Sequence, residues 1–596
     1  MDPLSRKSVK KMPMVKWFDP AQLISTGIRV VISTFIGEQS DRRIIQALST
    51  VKEDYFDFTY HYKDFDGSHL LDQSRERSEM WIDYICDTGD GWNSTYGVAY
   101  YACAHNLELT NTSGKSDKRY NTKRGDILVF GGDEVYPTPS KKNYTDRLVT
   151  PFENAFGDDN PIEHPYVFAI PGNHDWYDGL SAFSRLFCSD LNPHFAGWHS
   201  RQRRSYFALK LPGNWWILGS DGQLQSDIDT PQLEYFRSVC NNHMQNGDKV
   251  ILCISQPNWI YAHKYKKYGE EYDESDLIYL QQEILAKKNV DIKVYLSGDY
   301  HHYRRHEELR RDGKSPVQKI VAGGGGAFLH PTHDIDVSVI SENYGIDKKS
   351  GRKFALRESY PDPKTSKNLT FRDLLFPVIN PAFGILTAIM YLFTAWLLSS
   401  SIDFKIPQNL GEAFVFAAEA FFRNPLAGAW LLLLIGVFIF FTDTHSIIYR
   451  WVGGFFHALT HINMIFYVTL FGLFVGQILF PTQGYLMYLF IMAVVFIGGW
   501  IIGSFIFGLY LFISQYFFGR HNEESFSAAR IQDYKNFLRL HISKDGSLTI
   551  YPIKIFKVPR KWKNRTKSYT GKTNSLIIPL DGTKPELIED PIILKY

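Results

Sequence analysis

The 596-residue sequence has few cysteines and no excess of charge of either sign. Its five cysteines form no C-x-x-C pair and no regular spacing, which argues against a disulfide framework and a zinc ribbon. With 65 basic and 63 acidic residues the formal net charge is +2, so nucleic acid is not an expected partner. A chain of this length exceeds a single compact core, and two or more folding units are therefore predicted.

Charged residues are absent from long apolar segments of the C-terminal half. Between Trp451 and Gly519 there is no Asp, Glu, Lys or Arg, and only "PTQG" interrupts the run. Leu374–Ile402 and Asn424–Thr442 are also free of these residues. Since a helix of about 20 apolar residues crosses a bilayer, the pattern predicts an integral, multi-pass membrane protein with about four spans.

The basic residues beside these segments predict how the chain is oriented. Three of them precede the first span, one lies in the short second connection and one follows the last span: Lys364, Lys367, Arg372, Arg450 and Arg520. By the positive-inside rule, both termini and the soluble part are expected in the cytoplasm. The N-terminus is basic but lacks a continuous apolar stretch, so no secretory signal is predicted.

The sequence thus predicts four parts. They are residues 1–75, an N-terminal helical region; 76–360, a soluble domain; 374–519, the transmembrane helices; and 520–596, a cytoplasmic tail. In the first part, the amphipathic stretch Gln22–Ile36 is expected either on the membrane surface or packed on its own domain. In the tail, two alternating runs joined by Asp545-Gly546 predict a β-hairpin.

Apolar, strand-like runs of the soluble part repeatedly end in polar residues. Five such ends carry Asp87, Asp133, Asn173-His174-Asp175, Ser255-Gln256, and Asp299 with His301. Each taken alone could be an ordinary charged turn. Loops at one edge of a sheet converge, however, so the five together favour a metal site.

The motifs "GGDEVY", "GNHD" and "SGDYHH", in this order, resemble those of the calcineurin-like metallophosphoesterases. The resemblance covers roughly residues 80–335. It implies an α/β fold with a β-sandwich flanked by helices, in four layers (α/β/β/α), and a dinuclear metal centre at the sheet edge. It also implies hydrolysis of a phosphate mono- or diester by a metal-bound hydroxide.

Metal ligands follow from the same resemblance. Asp133 is expected to bridge two divalent ions, and Asp87 and His301 to complete the first site. The second site is expected to use Asn173, Asp299 and Gln256 in addition to Asp133. Because these ligands are oxygen-rich, Mn²⁺ or Mg²⁺ is favoured, with Fe or Zn²⁺ as alternatives.

The resemblance also implies two catalytic residues. His174 is expected to donate a proton to the leaving alkoxide, and Asp175 to orient the His174 ring. The phosphoester substrate is expected to be either soluble or linked to a membrane lipid. His330 and His333 are interpreted either as phosphate contacts or as caps of a glycine-rich loop.

This sequence departs from the family pattern at several positions. Gly89 stands where many members have a ligand histidine, and Gln256 and Asp299 stand where histidines are usual. Tyr136 occupies the place of an iron-ligand tyrosine in the purple-acid-phosphatase branch, although a structural role is favoured for it here. The alternative function is therefore a membrane sensor or transporter-associated protein whose phosphoesterase-like domain binds a ligand with little turnover.

Three histidines lie in or beside the third predicted span, namely His445, His457 and His461. The spacing of the last two puts them on one helix face. Haem or metal ligation is one reading of the pair. An interhelical hydrogen bond is favoured, because no second ligand-rich span is visible.

Overall fold

The computed structural model describes most of the chain. The described residues are 9–37, 54–63, 70–111, 118–159, 165–189, 194–222, 228–267, 272–310, 312–333, 337–342, 351–401, 407–442, 446–566 and 573–596. They form two compact units. The first unit comprises Met1–Val15, Thr26–Pro363 and Ile531–Tyr596, and the second comprises Lys16–Ser25 and Lys364–Arg530.

Two large mixed β-sheets form the centre of the first unit, each with nine strands in the described part of the chain. The strands of the first sheet, in spatial order, are Phe56–Asp57, Phe207–Leu211, Trp215–Ser220, Lys249–Ile254, Asp291–Ser297, Gln318–Ala322, Tyr303–Glu308, Lys353–Tyr360 and Val339–Ser341. Those of the second sheet are Glu586–Leu587, Leu548–Ile555, Lys535–Ile542, Met80–Ile85, Ile127–Phe130, Tyr166–Ala169, Trp198–Ser200 and His194–Phe195, with Ile592–Leu594 paired to Leu548–Ile555.

The sheets pack through apolar side chains on their inner faces. One buried cluster contains Ile82 and Val129 from the second sheet together with Ile217 and Ile251 from the first. Strands such as Met80–Ile85 are buried along their whole length, because both of their faces are covered. The unit therefore has mixed α/β sheets with flanking helices, as the metallophosphoesterase fold has.

Helices cover the outer faces of both sheets. Phe152 packs against Phe130 outside the second sheet, and Phe236 lies in the same cluster as Leu252 outside the first. The helical segments of this unit are Trp92–Ala102, Lys141–Asn143, Tyr144–Val149, Thr150–Phe156, Asn173–Trp176, Ser181–Phe187, Thr230–His243, Asn258–Lys267, Ser275–Tyr279, Leu280–Leu285 and Ala286–Lys288. Three strand pairs lie outside the sheets: Tyr60–Lys63 with Leu70–Glu76, Asn106–Thr110 with Arg119–Lys123, and Trp562–Asn564 with Ile577–Pro579.

The C-terminal segment belongs to the second sheet. Lys535–Ile542 and Leu548–Ile555 pair antiparallel on either side of Asp545-Gly546, and Gly546 has a φ of 77° that suits the turn. Lys535–Ile542 also pairs with Met80–Ile85. The first unit thus contains the whole range 76–360 together with Ile531–Tyr596, which the sequence assigns to a separate tail.

The second unit is helical. Its segments are Pro363–Leu369, Thr370–Leu375, Phe376–Ile379, Pro381–Phe383, Gly384–Ser401, Leu410–Arg423, Pro425–Phe441, Ile447–Leu479, Gly484–Gly498, Gly499–Gly503, Ser504–Phe518 and Asn522–Ala529. A further helix, Pro20–Gly37, includes the predicted amphipathic stretch and begins in the second unit.

Within the described residues, three helices are long and apolar enough to cross a membrane: Pro381–Ser401, Ile447–Leu479 and Gly484–Phe518. A fourth span is possible only if Leu410–Arg423 and Pro425–Phe441, which meet at 97°, count as one. The bend has a local cause, because the Asn424 side chain caps the following helix and Pro425 occupies its first position.

Candidate metal centre

The carboxyl ends of the central strands bring the predicted site residues together. Beyond the parallel strands Met80–Ile85 and Ile127–Phe130, the Asp87 N–H donates to the Gly132 carbonyl over 3.0 Å. The His174 N–H donates to Asp133 Oδ1 over 2.9 Å. From the other sheet, the Asp299 N–H donates to Asp87 Oδ2 over 2.9 Å. The loops therefore converge at one edge of the unit, as the sequence predicts.

The Tyr136 hydroxyl lies at the middle of this edge. Its oxygen is 3.1 Å from Asp87 Oδ1, 3.1 Å from Asp133 Oδ2 and 2.9 Å from His301 Nε2. Asp87 Oδ1 and His301 Nε2 are 3.8 Å apart. These are hydrogen-bond distances centred on the phenol, and they bring two predicted carboxylate ligands and one predicted imidazole ligand into one small volume.

Around the Tyr136 hydroxyl, the acceptors outnumber the single hydroxyl hydrogen. The Tyr136 hydroxyl carries one hydrogen, whereas two carboxylates and one imidazole nitrogen face it. Burial and the Asp299 carboxylate raise the pKa of Asp87 well above its usual range. Burial, Asp175 and Asp87 do the same to the pKa of Asp133. A cation at this point would relieve the repulsion that raises these pKa values.

Three of the ten described non-glycine residues with a positive φ lie at this edge. Asp87, Asp133 and Asp299 adopt left-handed conformations, with φ of 56°, 52° and 67°. This region is costly for residues with a Cβ and is retained mainly where the surroundings enforce it, often at functional sites. All three are predicted metal ligands.

The His301 ring has a defined orientation. Its Nδ1 is 2.8 Å from the Phe328 carbonyl oxygen, which accepts a hydrogen bond and therefore assigns the proton to Nδ1. Nε2 is then left as a lone-pair donor facing Tyr136 and Asp87. The His330 ring stacks on that of His301 with centroids 3.9 Å apart. His330 thus borders the cluster, and its predicted contact with phosphate stays a prediction.

His174 has a different partner from the one predicted. Its Nδ1 is 2.7 Å from the Pro137 carbonyl oxygen, and its ring centroid is 4.4 Å from that of Tyr136. Desolvation lowers the pKa of His174 to about 4. The ring is therefore neutral at neutral pH, and the negative charge of a phosphoester beside it would favour the protonated form.

Asp175 is buried and supports the backbone instead of the His174 ring. It accepts hydrogen bonds from the Gly172 N–H at 2.9 Å and from the Tyr144 hydroxyl at 2.5 Å. The prediction that Asp175 orients His174 is thus not met in this geometry. The physical reason is that Asp175 closes the first turn of the short helix Asn173–Trp176.

The predicted second-site residues lie at the same edge but are less closely assembled. Asn173 is exposed to solvent at the start of its helix. Gln256 is half-buried in the loop whose Ser255 carbonyl accepts a hydrogen bond from the Gly298 N–H over 3.1 Å. The Asp299 carboxylate accepts a short hydrogen bond from the Tyr261 hydroxyl.

The donor chemistry suits divalent cations. Carboxylates, a phenol and an imidazole nitrogen are ligands that Mn²⁺, Fe and Zn²⁺ accept. Among the described side chains of His, Cys, Asp and Glu, however, no three are already placed around a common ion position. The Tyr136 hydroxyl stands between the donors, so ion binding would require it either to join the ligands or to move.

Sequence reasoning does not place Tyr136 or Lys535 among the predicted ligands. It favours a structural role for Tyr136, and the "GDEVY" motif is the only local sign that this residue lies beside them. Lys535 is fully buried and interacts electrostatically with Asp87 and Asp90, although it lies far along the chain. No local pattern could have indicated that contact, since it depends on strand pairing.

In the second unit, His457 and His461 are buried on one face of Ile447–Leu479. His461 Nδ1 is 3.2 Å from the Tyr391 hydroxyl on a neighbouring helix, as the favoured hydrogen-bond hypothesis requires. The His457 ring stacks on Tyr510 with centroids 3.9 Å apart. His445 lies outside the described residues.

Comparison with known proteins identifies the region that carries this centre. Residues 72–303 match the sequence model of the calcineurin-like phosphoesterase family, so the predicted resemblance is confirmed. A solved structure titled "Structure of PhoD" aligns at 9% identity and a TM-score of 0.25, covering 44% of this chain. The alignment spans 59% of the PhoD chain. No curated protein matches the sequence.

Proposed function

We propose that the chain is a membrane-embedded, metal-dependent hydrolase of phosphate mono- or diesters, because residues 72–303 match the sequence model of the calcineurin-like phosphoesterase family. The family indicates the general activity, a phosphoester hydrolase that uses divalent metals. The observation that supports it in this chain is the cluster of Asp87, Asp133 and His301 around the Tyr136 hydroxyl. Such a concentration of buried acceptors calls for a cation.

The proposed first site consists of Asp87, Asp133 and His301, with Tyr136 as an additional ligand. The proposed second site shares Asp133 and adds the side chains of Asn173, Asp299 and Gln256. Two divalent ions, when bound, would supply a water of lowered pKa and neutralise charge on the phosphoryl group. Mn²⁺ or Mg²⁺ is proposed for the second site, because its ligands are all oxygens.

The protein side chains would divide the remaining tasks. His174 would hold the proton that passes to the leaving oxygen, with its ring kept in place by the Pro137 carbonyl. Asp175 would act indirectly, by fixing Gly172 and the turn that carries His174. Strained backbone at Asp87 and Asp133 would keep their carboxylates aimed at the ions.

We also propose that the second unit anchors the enzyme in a membrane. Large apolar side chains such as Phe440, Ile448 and Ile478 are at least 75% exposed on its helices, a surface suited to lipid. About four spans are proposed, with Leu410–Arg423 and Pro425–Phe441 as a broken one. The excess of basic residues in short flanking segments supports cytoplasmic termini and a cytoplasmic catalytic domain.

The proposal is tested with the purified full-length protein and an aryl phosphate. Hydrolysis should stop after chelation and return when Mn²⁺ is added. An aryl phosphodiester and a phospholipid supplied in the same assay would separate monoesterase, diesterase and lipid-directed activities. Metal binding without hydrolysis of any of these esters would favour a ligand-binding sensor instead.

A further inference from the structure

A glycine-rich loop, residues 323–330, lies against the first metal site. Its Ala327 N–H donates to the Asp87 carbonyl over 2.9 Å, and its Phe328 N–H donates to the Asp90 carboxylate over 3.1 Å. These bonds tie the loop to the segment that carries a predicted ligand. A shift of the loop would therefore either break these hydrogen bonds or move that segment.

The loop determines how His301 is presented. The Phe328 carbonyl accepts the hydrogen bond from His301 Nδ1. Glycine is required where the loop passes the site, because a Cβ on Gly323 would collide with the Asp87 carboxylate. The position of the Phe328 carbonyl therefore sets which ring nitrogen faces the site.

The opposite side of the loop is held by a residue from the end of the chain. Lys535 begins the strand Lys535–Ile542, which pairs with Met80–Ile85. Its side chain is fully buried, and its Nζ donates a short hydrogen bond to the Ala327 carbonyl. The next residue, Asn536, donates its N–H to the Gly324 carbonyl over 3.0 Å.

The Lys535 ammonium group is buried, and it is stabilised by its hydrogen bond to the loop and by nearby carboxylates. Burial lowers the pKa of Lys535 to about 8, against the opposing effect of Asp90, Asp533 and Asp87. An apolar side chain of similar length would fill the same volume without the cost of burying a charge. Because the ammonium group donates to the Ala327 carbonyl, the position of the loop depends directly on it.

We infer that Lys535 is a positioning residue of the metal centre: through Ala327 it fixes the loop whose Phe328 carbonyl aligns His301. The inference rests on the proposed function. Lys535 lies outside the family match at residues 72–303. The C-terminal strand therefore completes a site whose ligands all come from elsewhere in the chain.

The test compares variants of the full-length protein. Lys535→Met removes the charge and the donor at nearly constant length, and Lys535→Gln keeps a polar but shorter side chain in case the first variant fails to fold. Lys535→Arg restores a charged donor. Lys554→Met is the matched control, because Lys554 lies on the neighbouring strand of the hairpin and pairs with Glu586 at 3.6 Å.

Two readouts are needed. In Lys535→Met or Lys535→Gln, hydrogen exchange of peptides covering 323–330 should accelerate. Mn²⁺ affinity should fall by about 10–100-fold, the usual effect of removing a residue that orients a metal ligand. Turnover should fall through kcat at saturating Mn²⁺ more than through the KM for the aryl phosphate. Lys535→Arg should recover part of both losses, and Lys554→Met should match the wild type.

Several results would overturn the inference. The first case is a wild type that binds Mn²⁺ and hydrolyses the ester. If loop exchange or Mn²⁺ affinity in the Lys535 variants then equals that of Lys554→Met, Lys535 has no positioning role. The proposed function stands in that case. If the wild type neither binds Mn²⁺ nor hydrolyses the ester, the proposed function fails. The inference then falls with it, whatever the exchange shows.

Discussion

The two halves of the candidate metal centre differ in how far the fold assembles them. Asp87, Asp133 and His301, the predicted first-site residues, meet at the Tyr136 hydroxyl within 3.1 Å. In the second half, Asn173 is exposed and Gln256 is half-buried. The fold brings the first-half residues into contact through Tyr136, whereas Asn173 and Gln256 of the second half are less closely held.

The difference follows from the elements that carry the residues. First-site acids directly follow buried parallel strands, whose ends are fixed by the sheet and by strained backbone. In the second half, Asp299 likewise follows a parallel strand, Asp291–Ser297, and has a left-handed backbone. Asn173 and Gln256 instead depend on a four-residue helix and a loop, where side chains retain more rotamer freedom. Rigid elements place functional groups more accurately than loops do.

The largest expected effect comes from the residue shared by both halves. Asp133→Asn should abolish turnover and reduce metal content, because it removes a charge from the proposed bridging ligand. Element analysis and aryl phosphate hydrolysis measure the two outcomes. Asp248→Asn is the control, since that buried carboxylate accepts a 2.7 Å hydrogen bond from Trp216 Nε1 away from the centre. Wild-type metal content in Asp133→Asn would remove the bridging role.

The next effect tests the proton donor. His174→Ala should slow esters with alkoxide leaving groups by ~10²–10⁴-fold, the usual range for general acid catalysis. Esters with good phenolic leaving groups should be slowed much less, because they need no proton. Rates for a matched series of alkyl and aryl esters measure the difference. Equal slowing across the series would assign His174 a positioning role.

Tyr136 sharpens the description of the first half. Tyr136→Phe should weaken Mn²⁺ binding by about 10-fold or more if the phenol is a ligand or supports one. Isothermal titration with Mn²⁺ measures the affinity. Tyr96→Phe makes the same change at a buried hydroxyl that donates to the Ile577 carbonyl over 2.7 Å. Equal affinities in the two variants would return Tyr136 to a structural role.

The second half is tested by Asp299→His, which restores the usual family residue. A softer nitrogen ligand should move the metal preference from Mn²⁺ or Mg²⁺ towards Zn²⁺, with activity retained. Competitive metal loading followed by element analysis gives the preference. One ion per chain in both proteins, with unchanged preference, would mean that Asp299 is a loop residue and the second half holds no metal.

The smallest effect is a dependence of stability on pH. Because burial raises the pKa values of Asp87 and Asp133, the metal-free folded state binds more protons than the unfolded state between about pH 4 and those raised pKa values. Metal-free stability should therefore fall as pH rises, by up to about 1.4 kcal/mol per pH unit for each proton. Thermal melting with and without Mn²⁺ should show a stabilisation that grows with pH. A difference in melting temperature between the Mn²⁺-bound and metal-free protein that does not change with pH would contradict this prediction.

The sequence predicts where the acids of the first half lie in the fold, because each one follows an apolar run that becomes a buried strand. The C-terminal hairpin is equally visible in its alternating runs. Pairing between Lys535–Ile542 and Met80–Ile85 is not visible, since it joins segments more than 400 residues apart. The role of Lys535 depends on that pairing.

Two other features differ from the sequence prediction, each for its own reason. The partner of His174 is a backbone carbonyl, which every residue possesses, so the sequence pointed to the neighbouring Asp175 instead. The bend before Pro425 was readable in principle, because an Asn-Pro pair commonly starts a new helix. The length of the apolar segment predicts a single span over Asn424–Thr442 and gives no indication of the bend.

The most direct test titrates Mn²⁺ into one metal-free preparation of the full-length protein while bound metal and aryl phosphate hydrolysis are recorded together. We expect no turnover without metal and activity that rises with Mn²⁺ occupancy. The first ion should bind more tightly, and therefore at lower Mn²⁺ concentration, than the second. Turnover in the metal-free protein, or full occupancy without turnover, would contradict the account.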